Sequence, residues 1–399
     1  MRARRVYYSG ACCHPQDIKI ITKKRGIGIR MGRRLVPLLF LLLSVGVIGA
    51  SVNVNRVRAI EKIYIFSDGS IMPSYAPIQR SGDVYTLTGD INSVDDGIQV
   101  DRNNMTLDGA GHTIQGSGSN FGIYLPGNSN MTIRNLVVKS FLEGIYLSHS
   151  SNISIWNNSV TGIDEEGVFL YSSSNVSIVG NQIANSAGGV FLGSSSGNNL
   201  SRNSIVSCEY GLNIQHSPDC NFSGNSITLS NQFGMWLYNS TGSNVFQNNV
   251  TGNAIGIELN YSPHCVIYEN QIASNQYGIS FVFSLQNRIF HNNFDQNAQF
   301  VTGLQGMNTW NDGYPSGGNY WSGYNGLDLY SGPGQNLTGS DGIGDGAVVL
   351  DPLIAIPQNV DHYPLMTPHA IPEFQPSSIL LLFTLATLLM VAVYKKKYP

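Results

Sequence analysis

Residues Gly144–Ile183 read GIYLSHSSNISIWNNSVTGIDEEGVFLYSSSNVSIVGNQI, and the second half repeats the first: Gly144-Ile-Tyr-Leu returns as Gly167-Val-Phe-Leu, and Asn158-Ser-Val as Asn181-Gln-Ile. Outward from this stretch, the first mark recurs at Gly122, Gly189, Gly211, Gly234, Gly256 and Gly278. The second recurs at Asn203, Asn225, Asn248, Asn270 and Asn292, each series stepping by 22 or 23 residues. Three residues before each of these asparagines stands an apolar residue: Ile155, Ile178, Leu200, Phe222, Val245, Ile267 and Ile289. Alternation sends Ile145 and Leu147, or Val168 and Leu170, to one side of a strand.

A unit of this length cannot bury its own apolar face and must stack on its neighbours. Short strands with no helical connector predict an all-β right-handed parallel β-helix of about nine coils, spaced about 4.8 Å apart. Leucine-rich repeats have a similar period but need a leucine consensus that is absent. Stacked coils would turn Asn158 through Asn292 into an internal amide ladder with a structural role. Composition agrees: 44 Gly and 40 Asn in 399 residues, with 12% charged, is a poor medium for helices.

The pattern divides the chain into a leader (1–34), a signal peptide or anchor (35–59), an N-terminal cap (60–96), repeats (97–300), a Gly/Asp/aromatic C-terminal cap (301–370) and a tail (371–399). Leu35–Ala50 is an uncharged apolar run after Arg33 and Arg34, as in an export signal. Met31 would be a natural start for such a signal. Ser377–Tyr394 is 18 mostly apolar residues followed by Lys395, Lys396 and Lys397, enough to cross a bilayer with that end in the cytoplasm. The expected location is therefore the extracellular face of the membrane. Without the basic ends, residues 35–394 hold nine basic and 24 acidic residues, a net of −15. That charge argues against nucleic acid as a partner. Cys208, Cys220 and Cys265 provide no disulfide framework.

Several stretches carry a family resemblance. Leu107–Ile114 (LDGAGHTI), Asn311–Tyr324 (NDGYPSGGNYWSGY), Ser340–Asp345 (SDGIGD) and Asp361–Leu365 (DHYPL) resemble NosD-like β-helix proteins over roughly 61–369. The resemblance implies a secreted β-helix and, for NosD itself, a part in maturing copper sites. Ile371–Phe374 (IPEF), with the apolar span and basic tail, resembles the PEF-type sorting signals of archaeal surface proteins.

Candidate chemistry falls into four groups. Tyr124, Tyr146, Phe169 and Phe191 occupy one outward column in four consecutive coils, with Trp236 beyond Asn213; such a stripe could bind a glycan, or simply stack within the sheet. Glu143 and Glu166 directly precede the column glycine of adjacent coils and could lie side by side; with Asp164, Glu165 and Glu258 they are the best catalytic acids, although solvated turn acids are the plainer reading. Asp341 and Asp345, with Asp328 and Asp351 nearby in sequence, could hold Ca²⁺ on a glycine-bent loop. Copper would need converging His, Cys or Met, whereas His149 and His216 sit three coils apart and Cys220 and Cys265 two. Eleven Asn-x-Ser/Thr sequons, Asn104, Asn130, Asn175, Asn239, Asn249 and Asn336 among them, would allow glycosylation of an exported chain. The expected function is non-catalytic: a surface protein binding or organising extracellular polysaccharide or other cell-surface components. A polysaccharide-cleaving lyase or hydrolase is the alternative, and a copper-site maturation factor the third reading.

Overall fold

The computed structural model describes residues 61–303, 306–350 and 359–371. The leader, the segment 35–59, Asp351 and the apolar span with its lysines lie outside them. Strands of two to six residues wind through three long sheets, and the described residues contain no helix. One circuit shows the logic. Glu143–Ser148 enters the first sheet, Ser151–Trp156 the second and Ser159–Thr161 the third; Glu166–Tyr171, Ser177–Val179 and Gln182–Ala184 then repeat the path. Equivalent strands pair in parallel one turn apart, Ile145 beside Val168 and Ile155 beside Ile178. The inward column residues, including Ile145, Leu147, Ile178, Leu200 and Phe222, are all fully buried. They form the single apolar core that no repeat could bury alone.

The glycine column is a packing requirement. A Cβ on Gly144 would lie 2.3 Å from the Gly167 carbonyl oxygen and 2.5 Å from Val160 Cγ1. No side chain fits between turns there, which is why this position alone is glycine in turn after turn.

The asparagine column forms the expected ladder. Asn158 Nδ2 donates to Asn181 Oδ1 at 3.0 Å, and the same contact passes to Asn203, Asn225, Asn248, Asn270 and Asn292. Each Oδ1 also accepts the backbone N–H of the preceding rung, and Nδ2 donates a second bond to a backbone carbonyl, as Asn225 does to Leu200 O at 2.9 Å. Burial is tolerated because every polar atom has a partner. A parallel serine ladder, Ser150 through Ser284, runs along the turn after the first sheet and uses Oγ as the acceptor of the preceding backbone N–H.

The parallel array makes about ten turns, against nine marked in the sequence. The additional turn lies within 60–96, where Ile63–Ile65, Val84–Leu87 and Ile91–Asn92 join the three sheets. It was hidden because Lys62 occupies the register position of Gly97, so the glycine mark is missing. Ile78–Ser81 pairs antiparallel with Val84–Leu87 and ends the second sheet. At the far end Tyr320–Trp321 still pairs in parallel with Asn293–Asp295, beyond the last sequence repeat.

There the ladder ends on residues of the NYWSG and DHYPL motifs. Asn292 Nδ2 donates to Asn319 Oδ1 at 3.0 Å, 27 residues on instead of 22. Asn319 N–H and Trp321 Nε1–H donate to Asp361 Oδ2 at 2.8 and 2.9 Å. Gly318 is obligatory, since its Cβ would lie 1.9 Å from Asp361 Oδ1. Trp321 stacks on Phe294 at 4.4 Å, and buried Trp310 packs against Phe281, so two indoles plug the core. Asp361 is fully buried, and burial pushes its carboxyl up to about 6 despite the amide donors around it.

Candidate functional site

The outer face of the first sheet collects the residues singled out in the sequence. Register places Tyr124 beside Tyr146, Tyr146 beside Phe169, and Phe169 beside Phe191. The rings follow: Tyr146–Phe169 centroids are 4.8 Å apart with planes 4° from parallel, and Phe169–Phe191 centroids 4.7 Å apart. All four side chains are half-buried. Tyr146, Phe169 and Phe191 lie face to face and present an apolar edge to solvent, whereas Tyr124 meets Tyr146 edge-on at 62°.

Asn213 interrupts this column, and Trp236 belongs to a second cluster. Phe233 stacks on it at 5.6 Å, Tyr210 lies at 6.0 Å, and Tyr238 at 6.0 Å is tilted by 45°. Tyr261 and Phe283 continue outward at 49% and 56% exposure, so this cluster offers ring faces as well as edges. Phe121, Tyr210 and Phe233 were legible but unread: like Glu143 and Glu166, each directly precedes a column glycine.

The acids meet beside the first cluster. Glu143, Glu165 and Glu166 each place a carboxyl oxygen within 4.8 Å of the others. Glu143 is buried, which corrects the reading of it as a solvated turn acid; its Oε2 accepts the Glu166 backbone N–H at 3.1 Å. Glu143 pairs in register with Phe121, whose ring lies 4.5 Å from that of Tyr146 on the strand of Glu143 itself. Burial, and then the Glu166 charge, push Glu143 up to about 9, while burial and Glu165 raise Glu166. The pair therefore favours keeping a proton on its carboxyls, which gives the rim of the aromatic edge a donor beside its acceptors. Gly188 makes room for the Glu166 side chain, whose Cγ would lie 2.8 Å from a Cβ there. Glu258 sits apart, buried next to Trp236 in the column and raised by burial, and Asp164 is exposed.

The cap acids serve their own loop. Asp345 accepts the Leu329 and Tyr330 amides at 2.9 and 3.0 Å, Asp328 those of Asp341 and Gly342 at 3.0 and 2.9 Å, and Asp341 that of Ile343 at 3.1 Å. His149 and His216 bond separately to Ser148 and Asn239. Cys208, Cys220 and Cys265 are buried free thiols, and burial raises Cys220 and Cys265 to about 11, so they stay protonated and inert. A group with no sequence forewarning is Glu269, His291 and His369, whose ligand atoms also lie within 4.8 Å of one another.

The family of right-handed β-helix regions matches residues 96–250 and 166–337. No curated protein matches. Among solved structures, the enzymatically active domain of bacteriophage CBA120 tailspike protein 2 is 15% identical, with a TM-score of 0.39 over 55% of this chain and 42% of its own. The E. coli bacteriophage HK620 tailspike, solved as a mutant in complex with a pentasaccharide, is 9% identical with a TM-score of 0.44, covering 63% of this chain and 61% of its own. The A-module of the Azotobacter vinelandii mannuronan C-5 epimerase AlgE4 is 14% identical with a TM-score of 0.37, covering 59% and 72%. The chain thus spans about two fifths of the first tailspike it matches.

Proposed function

The chain belongs to the right-handed β-helix family, and from that premise we propose that it is a non-catalytic binder of extracellular polysaccharide, held at the cell surface and using the outer face of its first sheet. The observation that carries this reading is the half-exposed aromatic face, which runs from Phe121 through Phe191 and resumes from Tyr210 to Phe283. A long flat face suits a linear polymer: apolar ring edges and faces take the CH-rich sides of sugars, and phenol and carboxyl groups take the hydroxyls. Export and C-terminal anchoring, read from the two apolar segments, and membership of the narrower NosD-like group belong to the same proposal.

Cleavage is the second reading, carried by Glu143 and Glu166, whose carboxyl oxygens lie within 4.8 Å of each other. Binding is placed first because the Glu143 carboxyl is buried and its Oε2 is engaged by the Glu166 backbone N–H at 3.1 Å, whereas a retaining glycosidase needs both carboxyl groups, about 5–5.5 Å apart, facing the sugar. Incubating the purified chain with a glycan array, and analysing the same glycans for products, tests the proposal. Retention of an extracellular polysaccharide with no new reducing or unsaturated ends is expected. Products that disappear in Glu143→Gln would make the protein an enzyme, and retention of no glycan would remove the proposal.

A further inference from the structure

We infer that Glu269, His291 and His369 form a binding site for a first-row divalent metal ion, with Zn²⁺ as the matching species, at the C-terminal end of the helix. Glu269 and His291 occupy the same turn position in consecutive coils, each one residue before a rung of the asparagine ladder. Both have left-handed backbones, φ 55° and 57°, a conformation that other turns of this column give to Asn157, Gly180 and Gly224. His369 arrives from 78 residues further along. Its backbone is clamped by Asn293, whose Oδ1 accepts its N–H at 2.7 Å and whose Nδ2 donates to its carbonyl at 3.0 Å. Its ring lies over His291, centroids 4.5 Å apart, with Nε2 3.9 Å from Glu269 Oε1.

The partners behind the three side chains point to a ligand. His291 Nε2 lies 2.8 Å from the Ser316 carbonyl oxygen. A carbonyl only accepts, so Nε2 carries the proton and Nδ1 presents its lone pair, the arrangement that orients metal-bound imidazoles. Glu269 Oε2 accepts from Gln247 Nε2 at 2.7 Å, which fixes the carboxylate and leaves Oε1 toward His369. The His369 ring has no hydrogen bond of its own among the described residues, so it is the one free to turn about its Cβ–Cγ bond and bring a nitrogen to the shared point. Two imidazoles and one carboxylate are a borderline-hard N₂O set, suited to Zn²⁺ and its first-row neighbours and poor for Ca²⁺ or Mg²⁺. The ion would tie the segment 359–371 to the last coils.

Titrating the metal-stripped full chain with Co²⁺ tests this directly, because ligation by imidazole and carboxylate gives visible d–d absorption. The expected result is a band that saturates at one Co²⁺ per chain, is bleached by one equivalent of Zn²⁺ and is unaffected by Ca²⁺. Glu269→Gln and His369→Gln should each weaken Zn²⁺ binding by about tenfold or more with the β-sheet circular dichroism unchanged. Should His369→Gln loosen the tail, Glu269→Gln decides, since the Asn293 bonds that clamp the backbone of the tail do not involve it. No band in the parent chain, or Zn²⁺ affinity equal to the parent in Glu269→Gln, would overturn the site.

Discussion

In the middle coils, each buried amide at the turn before the third sheet is met by an asparagine one turn on, whereas past Asn292 the same duty falls to residues used once. Asn225 gives and receives its bonds through copies of itself. Asn319, the last rung, has no copy above it, and its N–H is met by Asp361 from a returning segment. Repetition lets one residue type satisfy a whole interior; an end needs a different solution, which here is a buried carboxylate beside two indoles. The two regions should therefore fail differently.

The largest effect is expected inside the ladder. Asn225→Ala orphans the Asn203 donors and the Leu200 carbonyl in a place where nothing can move in to replace them. At about 1–3 kcal/mol per unsatisfied buried group, it should cost about 3–4 kcal/mol in denaturant unfolding of the whole body. Asp361→Ala should cost less, about 2–3 kcal/mol, because an end can open locally. Its signature should be faster hydrogen exchange at Asn319 and Trp321, with the middle coils still protected. Equal, global effects from both substitutions would erase the distinction between the regions.

A smaller effect separates the outer face from the interior. Glu143 has its carboxyl raised by the fold, so its protonated form contributes stability that is fully present below the unfolded value of about 4.3 and is lost as pH climbs through about 9. The parent protein should lose stability between about pH 5 and pH 9, and Glu143→Gln should flatten that slope in urea midpoints measured across the range. An unchanged slope would mean that the pair is solvated. The smallest effect concerns the cap loop: Asp345→Ala removes the acceptor of two exposed amides and should lower stability by about 1 kcal/mol. The loss should be the same with and without a Ca²⁺ chelator. A chelator response that vanishes in Asp345→Ala would instead assign the loop to Ca²⁺.

What could be read from the sequence tracks this same divide. The ladder from Asn158 to Asn292 and the core columns were legible because periodic stacking turns sequence spacing into contact. Asn319 was not, since its step is 27 residues and hides inside an irregular motif. Glu143 is marked by its place before Gly144, but its burial is set by the side chains packed around it, which spacing alone does not weigh. Trp236 was placed in the column correctly, yet its ring contacts are with Tyr210, Phe233 and Tyr238 because Asn213 breaks the stack. His369 reaches His291 through a tail that obeys no period, so no column could pair them.

The central claim is that the aromatic edge on the first sheet binds polysaccharide, and the double variant Tyr146→Ala/Phe169→Ala tests it most directly. Both side chains point outward and are only partly buried, so the coils should keep their β-sheet spectrum while the affinity for a retained glycan falls by about tenfold, at about 0.5–1.5 kcal/mol per ring contact. Glycan affinity unchanged in a folded double variant would contradict the account.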